Sequence, residues 1–127
     1  MSDVRHVLIV DDDSEVRQLF SDLISLLGFA PTATASSMAA LQQLKTMHFD
    51  LVILDMRVPD MSGLEAFKAI RQFNSAVPVV LTTGFGMDKE VQEALSMGAL
   101  MCLEKPFEVH RALKSLQEIV EKESPRN

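Results

Sequence analysis

The sequence predicts an α/β domain in which five β-strands alternate with five helices and form one doubly wound parallel sheet. Apolar runs of strand length recur along the chain, at Val7–Val10, Leu51–Leu54 and Val79–Leu81. Nearly continuous apolar strands are buried on both faces, as they are when helices cover both sides of a parallel sheet. Segments with one apolar stripe at helical spacing lie between these runs. Alternation of strand and helix then requires right-handed crossover connections.

The remaining elements follow from the same periodicities. Val16, Leu19, Phe20 and Leu23 place an apolar stripe on the first helix, and Val109 begins the stripe of the last. A Ser-x-x-Glu spacing at 62–65 predicts a capped start for the third helix, and Gly28, Gly86 and Gly98 mark helix ends. The predicted order is strand 7–10, helix 16–27, strand 30–35, helix 37–47, strand 51–54, helix 64–73, strand 79–81, helix 88–97, strand 100–103 and helix 109–120.

Composition narrows the class of protein. The 127 residues are 24% charged and 47% apolar, which predicts one soluble globular domain over 1–127, structured from about residue 5 to 122. Neither a secretory signal nor a membrane span is visible, and the single cysteine, Cys102, excludes an internal disulfide. We therefore expect a cytoplasmic protein. A net charge of −6 opposes direct binding to nucleic acid.

Polar side chains follow four of the predicted strands, at the point where each strand ends. In chain order these residues are Asp11-Asp12-Asp13, Asp55, Thr82-Thr83 and Glu104-Lys105-Pro106. Functional groups of a doubly wound sheet collect at the carboxyl ends of its strands, so we expect them to converge. Carboxylate oxygens suit a magnesium ion, whereas a lysine and a hydroxyl suit phosphoryl oxygens.

Four segments carry a resemblance to a known family: VLIVDDD at 7–13, LVILDMRVPDMSG at 51–63, PVVLTTG at 78–84 and EKPF at 104–107. In this order, and each at a strand end, they resemble the receiver domains of response regulators in two-component signalling. The resemblance implies a flavodoxin-like receiver fold, similar to that of chemotaxis receivers, with strand order 2-1-3-4-5.

The resemblance also implies roles for the acidic residues. Asp55 is expected to accept a phosphoryl group from a histidine kinase or phosphotransfer protein, forming an acyl phosphate. A magnesium ion is expected at Asp11, Asp12 and Asp55, with the backbone carbonyl of Arg57 as a further ligand. Asp12 is expected to bind the ion directly and Asp11 mainly through water.

Other residues are implied to bind the phosphoryl group once it is on Asp55. Thr83 and Lys105 match the hydroxyl and ammonium groups that contact phosphoryl oxygens, with the backbone of Gly84 beside them. Thr82 is one residue earlier, so strand alternation points it to the opposite face. The Lys105–Pro106 peptide bond is expected to be cis, which is uncommon in general.

The chain departs from the family at one position of the switch. The usual aromatic residue three positions before the lysine is replaced by Cys102, which has no ring to move inward, and Phe85 is a candidate substitute. We expect signalling rather than enzymatic output, through an output partner or a homodimer. The expected surface is the face formed by the fourth helix, fifth strand and fifth helix.

Two alternatives remain at this point. A phosphatase of the haloacid dehalogenase type also uses an aspartate after a strand, but its second aspartate would stand where Arg57 is found. A pseudo-receiver would bind partners without phosphorylation, but such domains usually lack the acidic pair or the lysine.

Taken singly, the aspartates could be helix caps, a role that Asp13 or Ser14 could also fill for the first helix. A free-standing regulator and a piece of a larger protein both stay open.

Overall fold

A computed structural model describes residues 5–123, and the predictions made for residues 1–4 and 124–127 lie outside this range. Its elements alternate between strand and helix, with one short hairpin inserted before the third helix. They are β1 His6–Val10, α1 Ser14–Leu26, β2 Ala30–Thr34, α2 Ser37–Thr46, β3 Leu51–Asp55, β4 Arg57–Val58, β5 Met61–Ser62, α3 Gly63–Phe73, β6 Val79–Thr83, α4 Lys89–Ser96, β7 Met101–Glu104 and α5 Val109–Glu123.

The main sheet has five parallel strands in the order β2-β1-β3-β6-β7. Counted along the chain without the hairpin, this is the order 2-1-3-4-5, so the predicted fold class is confirmed. The antiparallel hairpin β4–β5 was not predicted, because two residues per strand are too few to show a period.

Helices cover both faces of the sheet and divide its core into two layers. In β1, Val7 and Ile9 pack with α1 and α5, whereas Leu8 and Val10 pack with α2, α3 and α4. Every residue of β3 and β6 is buried. Burial on both faces is the physical reason for the continuous apolar runs. Because β3 and β6 are parallel neighbours, their polar carboxyl ends lie at the same edge of the sheet.

Side-chain caps fix where the helices begin. Asp13 caps α1 by accepting a hydrogen bond from the Glu15 N–H at 2.9 Å. Ser62 caps α3 through the Glu65 N–H at 3.1 Å, as the serine-to-glutamate spacing predicts. Asp88 caps α4, which therefore begins one residue later than predicted. These caps hold the loops that leave the carboxyl edge of the sheet.

Gly63, the first residue of α3, lies against the backbone of Met56, which directly follows β3. A Cβ atom there would lie 2.5 Å from the Cα atom and 2.7 Å from the carbonyl oxygen of Met56. Because both contacts are with backbone, we expect Gly63→Ala to lower the free energy of unfolding by about 2 kcal/mol in urea denaturation. Gly84→Ala is the control, since its nearest contact would be Lys105 Cδ at 4.0 Å. Equal stability of the two variants would contradict this account.

Candidate functional site

The carboxyl edge of the sheet brings the predicted acidic residues together. Asp11 directly follows β1, and Asp55 is the last residue of the neighbouring strand β3. Asp11, Asp12 and Asp55 each place one carboxylate oxygen within 4.8 Å of the others. Asp11 and Asp55 are both 2% exposed, whereas Asp12 lies at the surface. The result is an acidic pocket with a buried floor and one solvent-facing side.

Lys105 supplies the positive charge of this pocket. Its ammonium nitrogen lies 2.9 Å from Asp11 Oδ2 and 3.2 Å from Asp55 Oδ2. It reaches both from the loop after β7, where the Lys105–Pro106 peptide bond is cis. A single lysine therefore contacts the two buried carboxylates at once.

The charges in the pocket shift the pKa values of both partners. Burial is the largest cause that raises the pKa of Asp55, and the charge of Asp11 adds to it. The Arg57 N–H group and Lys105 act in the opposite direction without cancelling the rise. Burial lowers the pKa of Lys105, but its contact with Asp11 and the charges of both carboxylates raise it overall. Lys105 therefore stays protonated, next to the Asp55 carboxyl group, whose ionisation is disfavoured by burial.

The loop that carries Asp11 is fixed by three hydrogen bonds. The Asp11 N–H group donates to the Thr34 carbonyl at 3.1 Å, and Asp11 Oδ1 accepts from the Asp13 N–H at 2.9 Å. Arg17 Nη1 donates to the Asp11 carbonyl at 2.9 Å from the first turn of α1. Because Asp13 caps α1, Asp11 and Asp12 are not needed as caps. The sequence gives no local signal for the role of Arg17.

Asp60 is a second residue whose role the sequence does not reveal. Its carboxylate accepts hydrogen bonds from the Ser37 N–H at 3.1 Å and the Met38 N–H at 2.9 Å. Slight desolvation raises the pKa of Asp60, but these backbone hydrogen bonds lower it overall. Asp60 therefore joins the loop after β3 to the start of α2. No sequence period links residues so far apart.

The adjacent threonines are both buried, each with 1% of its surface exposed. Strand alternation places Thr82 on the α1 and α5 side with Val80, and Thr83 on the α3 and α4 side with Leu81. Thr83 Oγ1 accepts a hydrogen bond from the Phe85 N–H at 3.1 Å. Thr82 Oγ1 has no hydrogen-bond partner within residues 5–123. The Thr83 hydroxyl proton is not used by that contact, so it can be donated to an anion.

Cys102 is half-buried in β7 and packs against the core layer under α3 and α4. Burial raises the pKa of its thiol to about 11, helped by the charges of Glu104 and Asp88. At neutral pH the thiol is therefore protonated and a poor nucleophile. Cys102 is thus a small apolar residue of β7, at the position where receiver domains usually have an aromatic side chain.

Three residues lie at the mouth of the pocket. Arg57 Nη2 is 3.1 Å from Asp88 Oδ2, and the Arg57 guanidinium carbon lies 4.3 Å from the centre of the Phe85 ring. The Arg57 N–H group donates to Asp55 Oδ1 at 3.1 Å. Arg57 is thus bonded to the Asp55 carboxylate through its backbone and to Asp88, the cap of α4, through its side chain.

The acidic residues fit a magnesium ion. All three groups offer carboxylate oxygens, the ligand type that Mg²⁺ prefers. The ligand atoms of the three residues all lie within 4.8 Å of one another, so the three carboxylates face one common site.

Comparison with known proteins identifies the family. The profile described as "Response regulator receiver domain" matches residues 7–117. The regulatory protein AtoC of Escherichia coli is 34% identical over 109 residues, covering 86% of this chain and 24% of AtoC. FixJ of Bradyrhizobium diazoefficiens is 31% identical over 120 residues, covering 94% of this chain and 58% of FixJ. The chain thus spans between about a quarter and three fifths of these two relatives.

A shorter relative matches over most of both chains. Sporulation initiation phosphotransferase F of Bacillus subtilis is 32% identical over 103 residues, covering 81% of this chain and 83% of that protein. Receiver domains of this kind are signalling phospho-acceptors that bind Mg²⁺ at a cluster of acidic residues. The family match therefore does not favour the phosphatase alternative.

Solved structures agree with this result. The chemotaxis protein CheY4 of Vibrio cholerae superimposes with a TM-score of 0.82 at 31% identity, covering 91% of this chain and 98% of CheY4. A CheY-like receiver domain from Methanospirillum hungatei has a TM-score of 0.87 at 22% identity, covers 94% of this chain and 96% of that one, and supports the fold alone. The chain therefore belongs to the response regulator receiver domain family and is a phospho-accepting receiver domain of the two-component type.

Proposed function

We propose that Asp55 is the residue that accepts the phosphoryl group, and that a histidine kinase or phosphotransfer protein donates it. The observation that carries this is the position of Asp55, a buried carboxylate at the end of β3 with Lys105 3.2 Å away and two further carboxylates within 4.8 Å. A carboxylate oxygen of Asp55 attacks phosphorus while the bond from phosphorus to the histidine nitrogen breaks. The imidazole leaves, and Asp55 becomes an acyl phosphate.

The surrounding residues bind what is formed. Lys105 is already in contact with Asp55 and pairs with a phosphoryl oxygen, and the Thr83 hydroxyl donates to another. The backbone N–H group of Gly84, an exposed residue without a side chain, is proposed to donate beside them. These donors replace the hydrogen bonds to water that the phosphoryl oxygens lose in the pocket.

Asp11, Asp12 and Asp55 would hold the magnesium ion, together with the backbone carbonyl of Arg57. Bound magnesium would supply positive charge next to the oxygens of both the acceptor and the phosphoryl group. Asp12, as the exposed member, provides the side of the site that is open to solvent. Arg17 and Thr34 keep the Asp11 backbone in place, so this part of the site is built before an ion binds.

Output is proposed to come from binding at the face formed by α4, β7 and α5, either to an output partner or to a second copy. Exposed apolar side chains on or beside these elements are Met87, Met97, Leu100 and Val109. We propose further that residues 1–127 form one receiver domain in the cytoplasm that does not itself bind nucleic acid, as the net charge of −6 favours. No helix within residues 5–123 is both long enough and apolar enough to span a bilayer.

Incubation with acetyl phosphate tests the proposed chemistry directly. Intact-mass spectrometry is expected to show one phosphoryl group per chain in millimolar magnesium and none when a chelator is present. The adduct should disappear on treatment with neutral hydroxylamine, because hydroxylamine cleaves an acyl phosphate and leaves a phosphorylated serine or threonine intact. Equal adduct yield with and without chelator would contradict a magnesium-assisted transfer to Asp55.

A further inference from the structure

A cluster of three side chains connects the acceptor loop to α4. Arg57, Phe85 and Asp88, here called the Arg57 latch, are joined by the 3.1 Å ion pair and the 4.3 Å contact between guanidinium and ring. The Arg57 side chain is 53% exposed and that of Asp88 33% exposed. Phe85 is 65% exposed, a large fraction for a phenylalanine, so its ring is held mainly by Arg57 rather than by the core.

The latch crosses between two neighbouring strand ends. Asp55 of β3 is in register with Thr82 of β6, so the loops that follow them leave the sheet side by side. Arg57 is two residues after Asp55, and Phe85 is two residues after Thr83. Arg57 and Phe85 are therefore each two residues away from a residue that is expected to carry or contact the phosphoryl group. The Phe85 N–H also donates to Thr83 Oγ1, so movement of Thr83 moves Phe85.

Asp88 extends the latch into α4. Its Oδ1 atom accepts the capping hydrogen bond from the Val91 N–H at 3.0 Å, while its Oδ2 atom pairs with Arg57. One carboxylate thus serves both the first turn of α4 and the acceptor loop. Loss of Arg57 would leave the cap in place but free the helix start from the pocket mouth.

We propose that the latch transmits phosphorylation to α4 by an exchange of partners, in which the Arg57 guanidinium leaves Asp88 and Phe85 for the phosphoryl oxygens. This inference rests on the proposed function, because it needs the phosphoryl group on Asp55. A phosphoryl group brings close to two negative charges and planar arrays of acceptors that suit a guanidinium. An exposed ion pair such as that with Asp88 is weak and easily displaced. Phe85 then supplies the moving ring that Cys102 cannot.

Variants can separate the latch from the helix cap. Asp88→Asn keeps a capping side chain at the start of α4 but removes the ion pair, since asparagine caps as well as aspartate. Phe85→Leu removes the aromatic face and keeps an apolar side chain. Glu93→Gln is the matched control, because it removes another ion pair of α4, that with Lys68 at 4.0 Å, outside the latch.

The measurement is the set of backbone amide and Arg57 Nε–H chemical shifts, with and without beryllofluoride and magnesium as the phosphoryl mimic. In wild type, we expect the mimic to shift the Arg57 Nε–H signal and the amides of residues 85–91. In Asp88→Asn and Phe85→Leu, these amides should already lie part of the way to the mimic-bound position, with the further shift reduced at least twofold. Glu93→Gln should respond like wild type.

Two results overturn the proposal, and they differ in meaning. The first is that the mimic binds but Asp88→Asn and Phe85→Leu both respond fully like wild type, or that it binds but does not move the Arg57 Nε–H signal. In either case the latch is wrong while the proposed function stands. If wild type shows no response to the mimic anywhere near Asp55, the proposed function fails and the latch fails with it.

Discussion

Asp55→Asn is expected to abolish covalent phosphorylation by acetyl phosphate. The amide is a poor nucleophile, and no other carboxylate in the pocket shares the position of Asp55, which is in contact with Lys105 and the Arg57 N–H group at once. Intact mass should show one phosphoryl group on wild type in magnesium and none on the variant. Since the change removes one negative charge and keeps the side-chain shape, the circular dichroism spectrum should be unchanged.

Asp13→Asn is the matched control for this experiment. Asp13 lies in the same acidic run but is exposed and serves as the cap of α1, a role that asparagine also fills. The control should be phosphorylated to the wild-type level. A phosphoryl adduct of wild-type yield on Asp55→Asn would assign the acceptor to another residue, and Asp11 and Asp12 would then be the first to test.

Lys105→Met is expected to lower the free energy of unfolding by about 3 kcal/mol at neutral pH in the absence of magnesium. The variant keeps the aliphatic stem but leaves Asp11 and Asp55, both buried, without a cation, and removal of one partner from a buried ion pair typically has a cost of this size. Urea denaturation with a chelator present measures the loss. Lys114→Met, an exposed position on α5, is the control and should change stability little.

The loss should depend on pH in a defined direction. The pKa of Asp55 is raised in the folded protein, so the folded state binds the Asp55 proton more tightly than the unfolded chain. Its contribution to stability is therefore greatest below the unfolded pKa of about 3.9 and falls as pH rises through the folded pKa. Without Lys105 the folded pKa rises further, so the gap between variant and wild type should widen from acid to neutral pH.

Magnesium should reverse part of this loss. An ion bound by Asp11, Asp12 and Asp55 supplies the charge that the lysine otherwise provides, and binding to the folded state alone stabilises it by mass action. Millimolar magnesium should thus raise the melting temperature of Lys105→Met more than that of wild type. If Lys105→Met is as stable as wild type in chelator at neutral pH, Lys105 does not neutralise the buried acids.

The sequence predicted those parts of the site that depend on where strands end. Asp11, Asp55 and Lys105 each stand at or directly after the end of a strand of the main sheet, and parallel pairing brings such positions to one edge whatever the loops do. The different faces of Thr82 and Thr83 followed from strand alternation alone. These inferences need only the period of the sheet and the order of its strands.

Contacts between separate loops could not be predicted in this way. Asp60 reaches the start of α2, and Arg57 reaches Asp88, through side-chain bonds across 22 and 31 positions of the chain. Such bonds depend on loop paths, which have no period. Arg57 was predicted only as a backbone ligand, and its two side-chain partners came from the structure.

The bond between Asp60 and α2 has a consequence for protein engineering. Arg57, Pro59 and Asp60 are exposed next to Asp55, and exposed loop positions are the usual places to insert a fluorescent reporter or to open new chain termini by circular permutation. Yet Asp60 holds the first N–H groups of α2 from this segment, and Gly63 is pressed against Met56 just after it. An insertion here would therefore lengthen the loop and also break the hydrogen bonds between Asp60 and the start of α2. Ser75 and Ala76, both exposed in the turn before β6 at the opposite edge of the sheet, are the better site for such a graft.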